Sequence, residues 1–346
     1  MPQRLKTLTR WLTEVFNAES GNTQQAMDFQ LTPASTDASF RRYFRVTMNH
    51  DTARCFSNAP SPKTTLIAMD APPDKEQTQP FVRVASMLTD IGLNAPRVLA
   101  QNPEQGFLLM SDLDTQVYLD VLDVNTVDSL YADALDALLI MQRDAPRDTA
   151  ILPAYDEPLL LREMALFRDW YCKKHCNMSF SMAQSSELEM VFQRLSDAAL
   201  RQPQVFVHRD YHSRNLMRTE QNNPGILDFQ DAVVGPVTYD LVSLLRDCYI
   251  AWPREQVERW ALAHLQRTAR AGVIPLESDE TYLRWFDWMG VQRHLKAAGI
   301  FARLNIRDGK PGYLEDIPRT LNYVRDVIGR YPELQALQRL LDGSSK

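Results

Sequence analysis

Three side chains in the middle of the chain have the types and spacing that phosphoryl transfer requires. The stretch Val205-Phe206-Val207-His208-Arg209-Asp210-Tyr211-His212-Ser213-Arg214-Asn215-Leu216-Met217 is an apolar run followed by H-R-D-x-x-x-x-N, and thirteen residues after Asn215 a second apolar run, Gly225-Ile226-Leu227, ends in Asp228-Phe229-Gln230. A carboxylate such as Asp210 can take the proton of an attacking hydroxyl. An amide oxygen (Asn215) and a second carboxylate (Asp228) are hard donors for Mg²⁺, which neutralises charge on the group in transit. Asp210 and Asn215 lie in one loop, five positions apart, so the amide can fold back beneath the acid, while Asp228 arrives on a neighbouring strand. H-R-D and D-F are each weak signals. The composite, with an apolar run before each half, is specific. His208, at the loop's start, is expected to pack and to hydrogen-bond the loop backbone rather than to react.

Other chemistries fit less well. His208 and His212 are four apart like the ligands of a zinc-binding H-E-x-x-H helix, but Arg209 stands where the Glu belongs and β-prone residues precede the pair. A merely solvated turn would explain the polar residues but not their spacing. The chain has 12 glycines and no G-x-G; the nearest pair, Gly309 and Gly312, has no Lys-Ser/Thr after it, so a Walker A loop and a dinucleotide fingerprint are both excluded. The cysteines (Cys55, Cys172, Cys176, Cys248) are scattered, which argues against a disulfide framework. Cys172-x-x-His175-Cys176 is half a metal site without a second half, and packing is the expected role.

These residues need a scaffold. At ~150 residues per domain, 346 residues make two domains or one large bilobal one. The first third reads as strands, at Arg42 to Met48, Thr65 to Asp70, Arg97 to Ala100 and Gly106 to Ser111, with a helix over Gln79 to Ile91. After Ser111 the pattern turns helical: Val124 to Arg143, Glu157 to Tyr171, Glu187 to Arg201, Val237 to Cys248, Pro253 to Arg270 and Glu280 to Ala302, with the short strands Val205 to Val207 and Gly225 to Leu227 among them. This is an α+β architecture, with a small sheet-rich N-lobe (1–111) for a nucleotide and a larger helical C-lobe (112–346) for the catalytic loop and acceptor. Apolar residues make up 45%, charged residues 24%, and the net charge is −6 with pI ≈ 5.6. That balance disfavours a nucleic-acid partner. No apolar run reaches a membrane span, and Leu5, Leu8, Trp11, Leu12, Val15 and Phe16 recur at helical spacing instead of forming an export signal. A cytoplasmic protein with no obligate protein partner is expected.

With Asp210, Asn215 and Asp228 in place, the chain resembles the aminoglycoside phosphotransferase and choline kinase superfamily, which has a bilobal, protein-kinase-like fold. Val237-Thr238-Tyr239-Asp240-Leu241-Val242 is similar to a motif there whose Asp braces the catalytic loop, a role the resemblance gives to Asp240. Ser39-Phe40-Arg41-Arg42-Tyr43-Phe44-Arg45-Val46, Ile67-Ala68-Met69-Asp70-Ala71-Pro72-Pro73, the full 208–216 loop, Arg293-His294-Leu295-Lys296 through Ile300-Phe301-Ala302-Arg303-Leu304, and Arg307-Asp308-Gly309-Lys310 are similar to one branch, the bacterial anomeric sugar kinases of cell-wall recycling. The resemblance spans nearly the whole chain. It implies an ATP- and Mg²⁺-dependent kinase that phosphorylates C1 of an N-acetylated sugar. An aminoglycoside or other hydroxyl kinase, and a catalytically silent nucleotide-binding protein, are the alternatives.

One departure from the general plan matters. Met69 stands where the third N-lobe strand usually carries a phosphate-gripping Lys, and the helix after it has Arg83 but no partner Glu. Phosphate charge must then be met otherwise. The candidates are Ser35, Thr36 and Ser39 in the loop Ser35-Thr36-Asp37-Ala38-Ser39, with Arg41 and Arg42 after it, since an Arg fork binds phosphate bidentately. Adenine is expected at the connector, against Met110, Ser111 and Leu113. For the sugar, Arg214, Gln230 and Asp231 lie close to the chemistry along the chain. Arg293 belongs to a polar group (Gln292, Arg293, His294, Lys296) in an otherwise apolar helix and needs a partner there. Arg214 and Arg293 are the candidates for a lactyl carboxylate.

Overall fold

The computed structural model describes residues 2–20, 29–35, 40–50, 53 and 64–343. They form two compact units, Met1–Gln116 with Met217–Gln230, and Val117–Leu216 with Asp231–Lys346.

The first unit is built on a five-stranded antiparallel sheet in the order β1-β2-β3-β5-β4. Its strands are β1 (Phe29–Ser35), β2 (Arg42–Met48), β3 (Thr65–Asp70), β4 (Val98–Asn102) and β5 (Phe107–Ser111). The β2 and β3 boundaries coincide with those read from the sequence. β1 was not expected: Pro33 interrupts its pattern, and the strand survives because it lies at the sheet edge, where a missing N–H breaks no ladder. Helix α1 (Pro2–Ser20) turns Leu8, Trp11, Leu12 and Phe16 onto Val46, Met48, Leu66, Ala68, Phe107 and Leu109. Each such buried side chain contributes ~1.5–3 kcal/mol. Arg4 of α1 also donates to the buried carboxylate of Asp70 (Nε···Oδ1 2.9 Å). Helix α2 (Gln79–Asp90) buries Phe81, Val84, Ala85 and Leu88. The turn into β5 requires Gly106: its φ is +71°, and a Cβ there would come within 1.8 Å of the Ala71 carbonyl oxygen.

The second unit is mostly helical. After α3 (Tyr118–Val121), its elements are α4 (Val127–Asp144), α5 (Glu157–Leu166), α6 (Met182–Leu200), β6 (Gln204–Val207), β9 (Val233–Pro236), α7 (Tyr239–Leu245), α8 (Arg254–Arg270), α9 (Asp279–Asp308), α10 (Ile317–Ile328) and α11 (Gln335–Gly343). The short strands β7 (Leu216–Met217) and β8 (Gly225–Ile226) fall between β6 and β9 in chain order. The helix expected over Glu157 to Tyr171 changes after Leu166 into a π-helical segment, Phe167–His175. The cause lies across the interface. A Cβ on Gly299 of α9 would stand 2.3 Å from the Leu166 carbonyl carbon and 2.5 Å from the Phe167 nitrogen, so two backbones cross at that glycine. Helix α9 itself runs past Ala302 to Asp308. It is capped by the Ser278 side chain, which accepts from the Thr281 N–H at 3.1 Å, and it stops at Gly309 with φ +65°. Cys172 is buried on the π segment, where desolvation pushes its thiol pKa up. Among the described residues no group of three or more His, Cys, Asp or Glu is arranged to hold a metal ion.

Candidate active site

Strand β6 delivers the H-R-D loop. It pairs with β9 from Gln204↔Pro236 to Val207↔Val233, and the loop starts where the pairing ends. Asp240, in the first turn of α7, takes two backbone donors at that point: His208 N–H to Oδ2 at 2.7 Å and Arg209 N–H to Oδ1 at 3.0 Å. Burial pushes the Asp240 pKa up to about 7 against these donors. The clamp holds an uncommon conformation, because Arg209 has φ +78°, where side-chain-bearing residues are strained. Beyond it, Asp210 N–H donates to His208 Nδ1 at 3.2 Å, and Asn215 Nδ2 donates to the Asp210 carbonyl at 2.9 Å. The amide therefore folds back under the acid, as five-residue spacing permits. Asp247 accepts from both Ser213 N–H (2.9 Å) and Ser213 Oγ (2.6 Å), and Tyr211 Oη donates to the Ala134 carbonyl at 2.8 Å. Desolvation alone would raise the Asp210 pKa. The positive field of Lys296, His212, Arg209 and His208 outweighs it and keeps the carboxylate below its usual range.

Asp228 belongs to the first unit and is likewise in the left-handed region, with φ +62°. Gln230 Nε2 donates to its Oδ1 at 2.8 Å. Phe229 is buried against Phe81 of α2, with ring centroids 4.9 Å apart, and Ile226 N–H donates to the Asn94 carbonyl at 2.8 Å. At the connector, Met110 pairs with Ile67 and Val98. Ser111 N–H donates to the Arg97 carbonyl (3.0 Å) and its hydroxyl accepts from Arg97 N–H (2.9 Å). Leu113 packs where a Cβ on Gly225 would be 3.1 Å from its Cδ1. Arg45 grips Asp112 with two donors, at 2.7 and 3.1 Å.

The other nucleotide candidates are placed unevenly. Arg41 pairs with Glu76 at 3.0 Å, and Arg42 is ion-paired with Asp70, on the α1 side of the sheet. Met69 is fully buried on the opposite face of β3. Thr36, Ser39 and the side chain of Ser35 lie outside the described residues.

In the second unit the Arg214 guanidinium lies 3.6 Å from the Tyr249 ring centroid and 5.9 Å from that of Tyr313. Arg293 is buried, its Nη1 is 3.6 Å from Cys248 Sγ, and its Nε has no hydrogen-bond partner; among the described residues it makes no ion pair. The neighbouring polar groups of that helix each find a partner inside the protein, although Gln292 Oε1 and His294 Nδ1 are, like Arg293 Nε, buried without a hydrogen-bond partner. Lys296 pairs with Glu163 at 3.1 Å, Gln292 donates to Tyr155 Oη at 3.2 Å, and His294 Nε2 lies 2.8 Å from the Arg246 carbonyl oxygen. Asp231 exposes its side chain and offers its carbonyl to Arg209 Nη1 at 3.3 Å. The sequence reading missed Glu163 as part of this constellation, although a lone acid among Leu159, Phe167 and Trp170 on an otherwise apolar helix face was a usable signal.

Residues 30–283 match the profile described as the phosphotransferase enzyme family, and the chain belongs to that family. A Pseudomonas putida protein named N-acetylmuramate/N-acetylglucosamine kinase is 46% identical over 341 residues, covering 98% of this chain and 96% of that one. A Neisseria meningitidis protein of the same name is 40% identical, with 98% and 95% covered. Among solved structures, choline kinase from Cryptosporidium parvum superposes with a TM-score of 0.61 at 12% identity, covering 94% of this chain and 99% of that one. ADP-bound aminoglycoside phosphotransferase APH(2'')-Ib gives 0.56 at 14% identity, covering 90% and 96%. The fold is the expected α+β fold of those kinases, and the protein is a phosphotransferase. Among the described residues no helix is long and apolar enough to cross a membrane.

Proposed function

We propose that this phosphotransferase transfers the γ-phosphoryl group of ATP to the anomeric hydroxyl of N-acetylmuramate and N-acetylglucosamine, giving the α-1-phosphate for cell-wall sugar recycling in the cytoplasm. The observation that carries the reading is the near-full-length similarity to kinases of those two sugars. The loop around Asp210 supports it. In this reading Asp210 accepts the C1 hydroxyl proton as that oxygen attacks phosphorus, and the bond from phosphorus to the ADP oxygen breaks in line. A carboxylate held ionised by nearby cations is suited to orienting and accepting that proton.

Asn215 and Asp228 are the residues assigned to Mg²⁺, and their surroundings suit it. Tying Asn215 Nδ2 to the Asp210 carbonyl turns the amide's Oδ1 the other way, so both residues offer hard oxygen donors. When bound, Mg²⁺ supplies neutralisation of phosphate charge. The connector residues Met110, Ser111 and Leu113 are assigned to adenine, and the 35–42 segment to phosphate. Gln230 and Asp231 are assigned to the sugar's edge. The buried Arg293, with its unpartnered Nε, suits the lactyl carboxylate of N-acetylmuramate, and Arg214 is the second candidate. A cationic aminoglycoside would call for acids in those positions.

The test is incubation with Mg·ATP and a panel of N-acetylated sugars, aminoglycosides and choline, with the phosphorylated atom identified by NMR. Phosphate at C1 of the two sugars is expected. Because no other hydroxyl is in line in this reading, the methyl glycosides should be inert. Phosphorylation of a methyl glycoside, or of an aminoglycoside in preference, would overturn the assignment, and nucleotide binding without transfer to anything would favour a silent binding protein.

A further inference from the structure

We propose that Glu163, on α5, is a positioning residue for phosphoryl transfer: its carboxylate holds the Arg209 side chain and so fixes the left-handed turn that presents Asp210. The inference rests on the reading of Asp210 as the acceptor base, and the experiment below separates the two.

Glu163 lies 46 residues before Arg209 in the chain and in none of the motifs, yet its buried carboxylate gathers four donors. Arg209 Nη2 and the Tyr155 hydroxyl hydrogen-bond to it, Lys296 Nζ is 3.1 Å from Oε1, and Gln292 Nε2 is 3.5 Å from Oε2. Arg209 is the residue with φ +78°, one position before Asp210. Its two guanidinium ends go to two different elements, Nη2 to Glu163 on α5 and Nη1 to the Asp231 carbonyl at 3.3 Å. Its backbone N–H goes to Asp240 on α7.

Asp240 fixes the backbone before the turn but cannot fix the torsion that follows, because Arg209 rotates about φ with its N–H still bonded. The side chain projects from the Cα on the far side of that torsion. Anchoring the guanidinium therefore restricts rotation about φ. Lys296 closes the arrangement by donating to Tyr239 Oη at 2.9 Å, next to Asp240, so the two clamps are joined. Charge favours the same view: the buried Lys296 and the half-buried Arg209 face one carboxylate, and removing it leaves the Arg209 guanidinium without its ion-pair partner.

A purely structural alternative is that Glu163 only balances the buried Lys296. The two roles separate in a set of variants assayed for kcat and KM with Mg·ATP and N-acetylglucosamine. Glu163→Gln should lower kcat by about 30-fold or more while both KM values stay within about threefold, since positioning the base acts on the transition state and not on ground-state binding. The charge-balanced double variant Glu163→Gln/Lys296→Met, which avoids a surplus buried cation and so guards against failure to fold, should stay as slow as Glu163→Gln. Recovery of kcat in that double variant would overturn the proposal in favour of charge balance. Adding Glu163→Gln to Arg209→Met should cost nothing further, because both changes remove one interaction; multiplying losses would also overturn it. Asp210→Asn serves as the control on the underlying reading. If it retains turnover, the base assignment fails. If it is inactive while Glu163→Gln has wild-type kcat, only the Glu163 proposal fails.

Discussion

Asp240→Asn puts a number on the loop clamp. The carboxylate accepts one backbone N–H on each oxygen, at 2.7 Å from His208 and 3.0 Å from Arg209. Asparagine keeps one acceptor and turns an NH₂ toward the other N–H. One charge-assisted bond of ~1.5–3 kcal/mol becomes a neutral one of ~1, and a buried donor is orphaned at ~1–3 kcal/mol, so the turn loses roughly 2–4 kcal/mol. If the loss falls on the geometry of Asp210, turnover drops roughly 30- to 1000-fold. Global stability should not follow. With its pKa raised from 3.8 to about 7, Asp240 contributes fully below pH 3.8 and loses that contribution as pH rises to about 7. At pH 8 the wild type thus carries an ionisation cost on the order of 4 kcal/mol that asparagine lacks, similar in size to the clamp loss and opposite in sign. Urea unfolding at pH 8 should therefore shift by less than about 2 kcal/mol while kcat collapses. Wild-type kcat should also fall on the acid side of about pH 7, as protonation removes one acceptor, and the variant should lack that limb. A variant within threefold of wild-type kcat, or one that retains the acid limb, would refute the reasoning.

Arg293→Met should lower kcat/KM on N-acetylmuramate by roughly ten- to a hundredfold, the worth of one charge-assisted hydrogen bond, and affect N-acetylglucosamine less; equal losses would remove Arg293 from the carboxylate. Gly299→Ala must push α9 away from the Leu166–Phe167 backbone, now 2.3–2.6 Å from where the Cβ would be, and should cost ~1–3 kcal/mol or more in urea unfolding. His264 and His294 are buried with pKa values near about 3, so from pH 6.5 downward the unfolded chain takes up protons that the native one refuses. Each should cost ~1.4 kcal/mol at pH 5.5, and a variant with His264 replaced by Gln should show the shallower pH slope. Met69→Lys should destabilise instead of improving ATP use, because the ammonium would be buried without a carboxylate; shedding its proton caps the charge cost at ~4 kcal/mol at pH 7.5, and an unchanged Tm with better kcat/KM for ATP would contradict this.

The parts of the fold legible in the sequence were those whose rules are local. Strand β2 shows a period-2 pattern and β3 is a short, mostly apolar run stopped by Ala71-Pro72-Pro73, and the limits of both were read to the residue. Where a neighbour decides, the sequence misleads. The π segment after Leu166 answers to a close helix crossing at Gly299, far along the chain. A strand bearing Pro33 reads as a loop until its place at the sheet edge is known. Helix α9 continues beyond Ala302 through Arg303, Asn305, Arg307 and Asp308, which look like an exit into solvent, and only the left-handed Gly309 ends it.

The candidate active site divides along the same line. Asp210, Asn215 and Asp228 could be picked out because the chemistry fixes their types and short chain segments fix their spacing, and Asp240 followed from the family resemblance of its motif. The residues that hold this loop in shape are scattered: Glu163 on one helix, Lys296 on another, Asp247 after a third. None needs a fixed sequence distance from Asp210, so no motif can name them. What marks them is a physical conflict, a charge on a helix face that is otherwise apolar, and the conflict is resolved only where a partner arrives from elsewhere in the fold. Lys296 resolves it inside the protein by pairing with Glu163, whereas Gln292 and His294 each bond one polar atom there and leave Oε1 and Nδ1 without a partner. Arg293, on the same helix, keeps a buried Nε without a hydrogen-bond partner and pairs with no carboxylate among the described residues. Against the cost of burial, Asp247 and Asp210 already stabilise its charge through space and hold its pKa up, so what the guanidinium lacks is a hydrogen-bond acceptor for Nε. A permanently charged fork with an unpartnered N–H, which neither Gln292 nor His294 provides, is the physical reason to test Arg293 for the substrate's carboxylate.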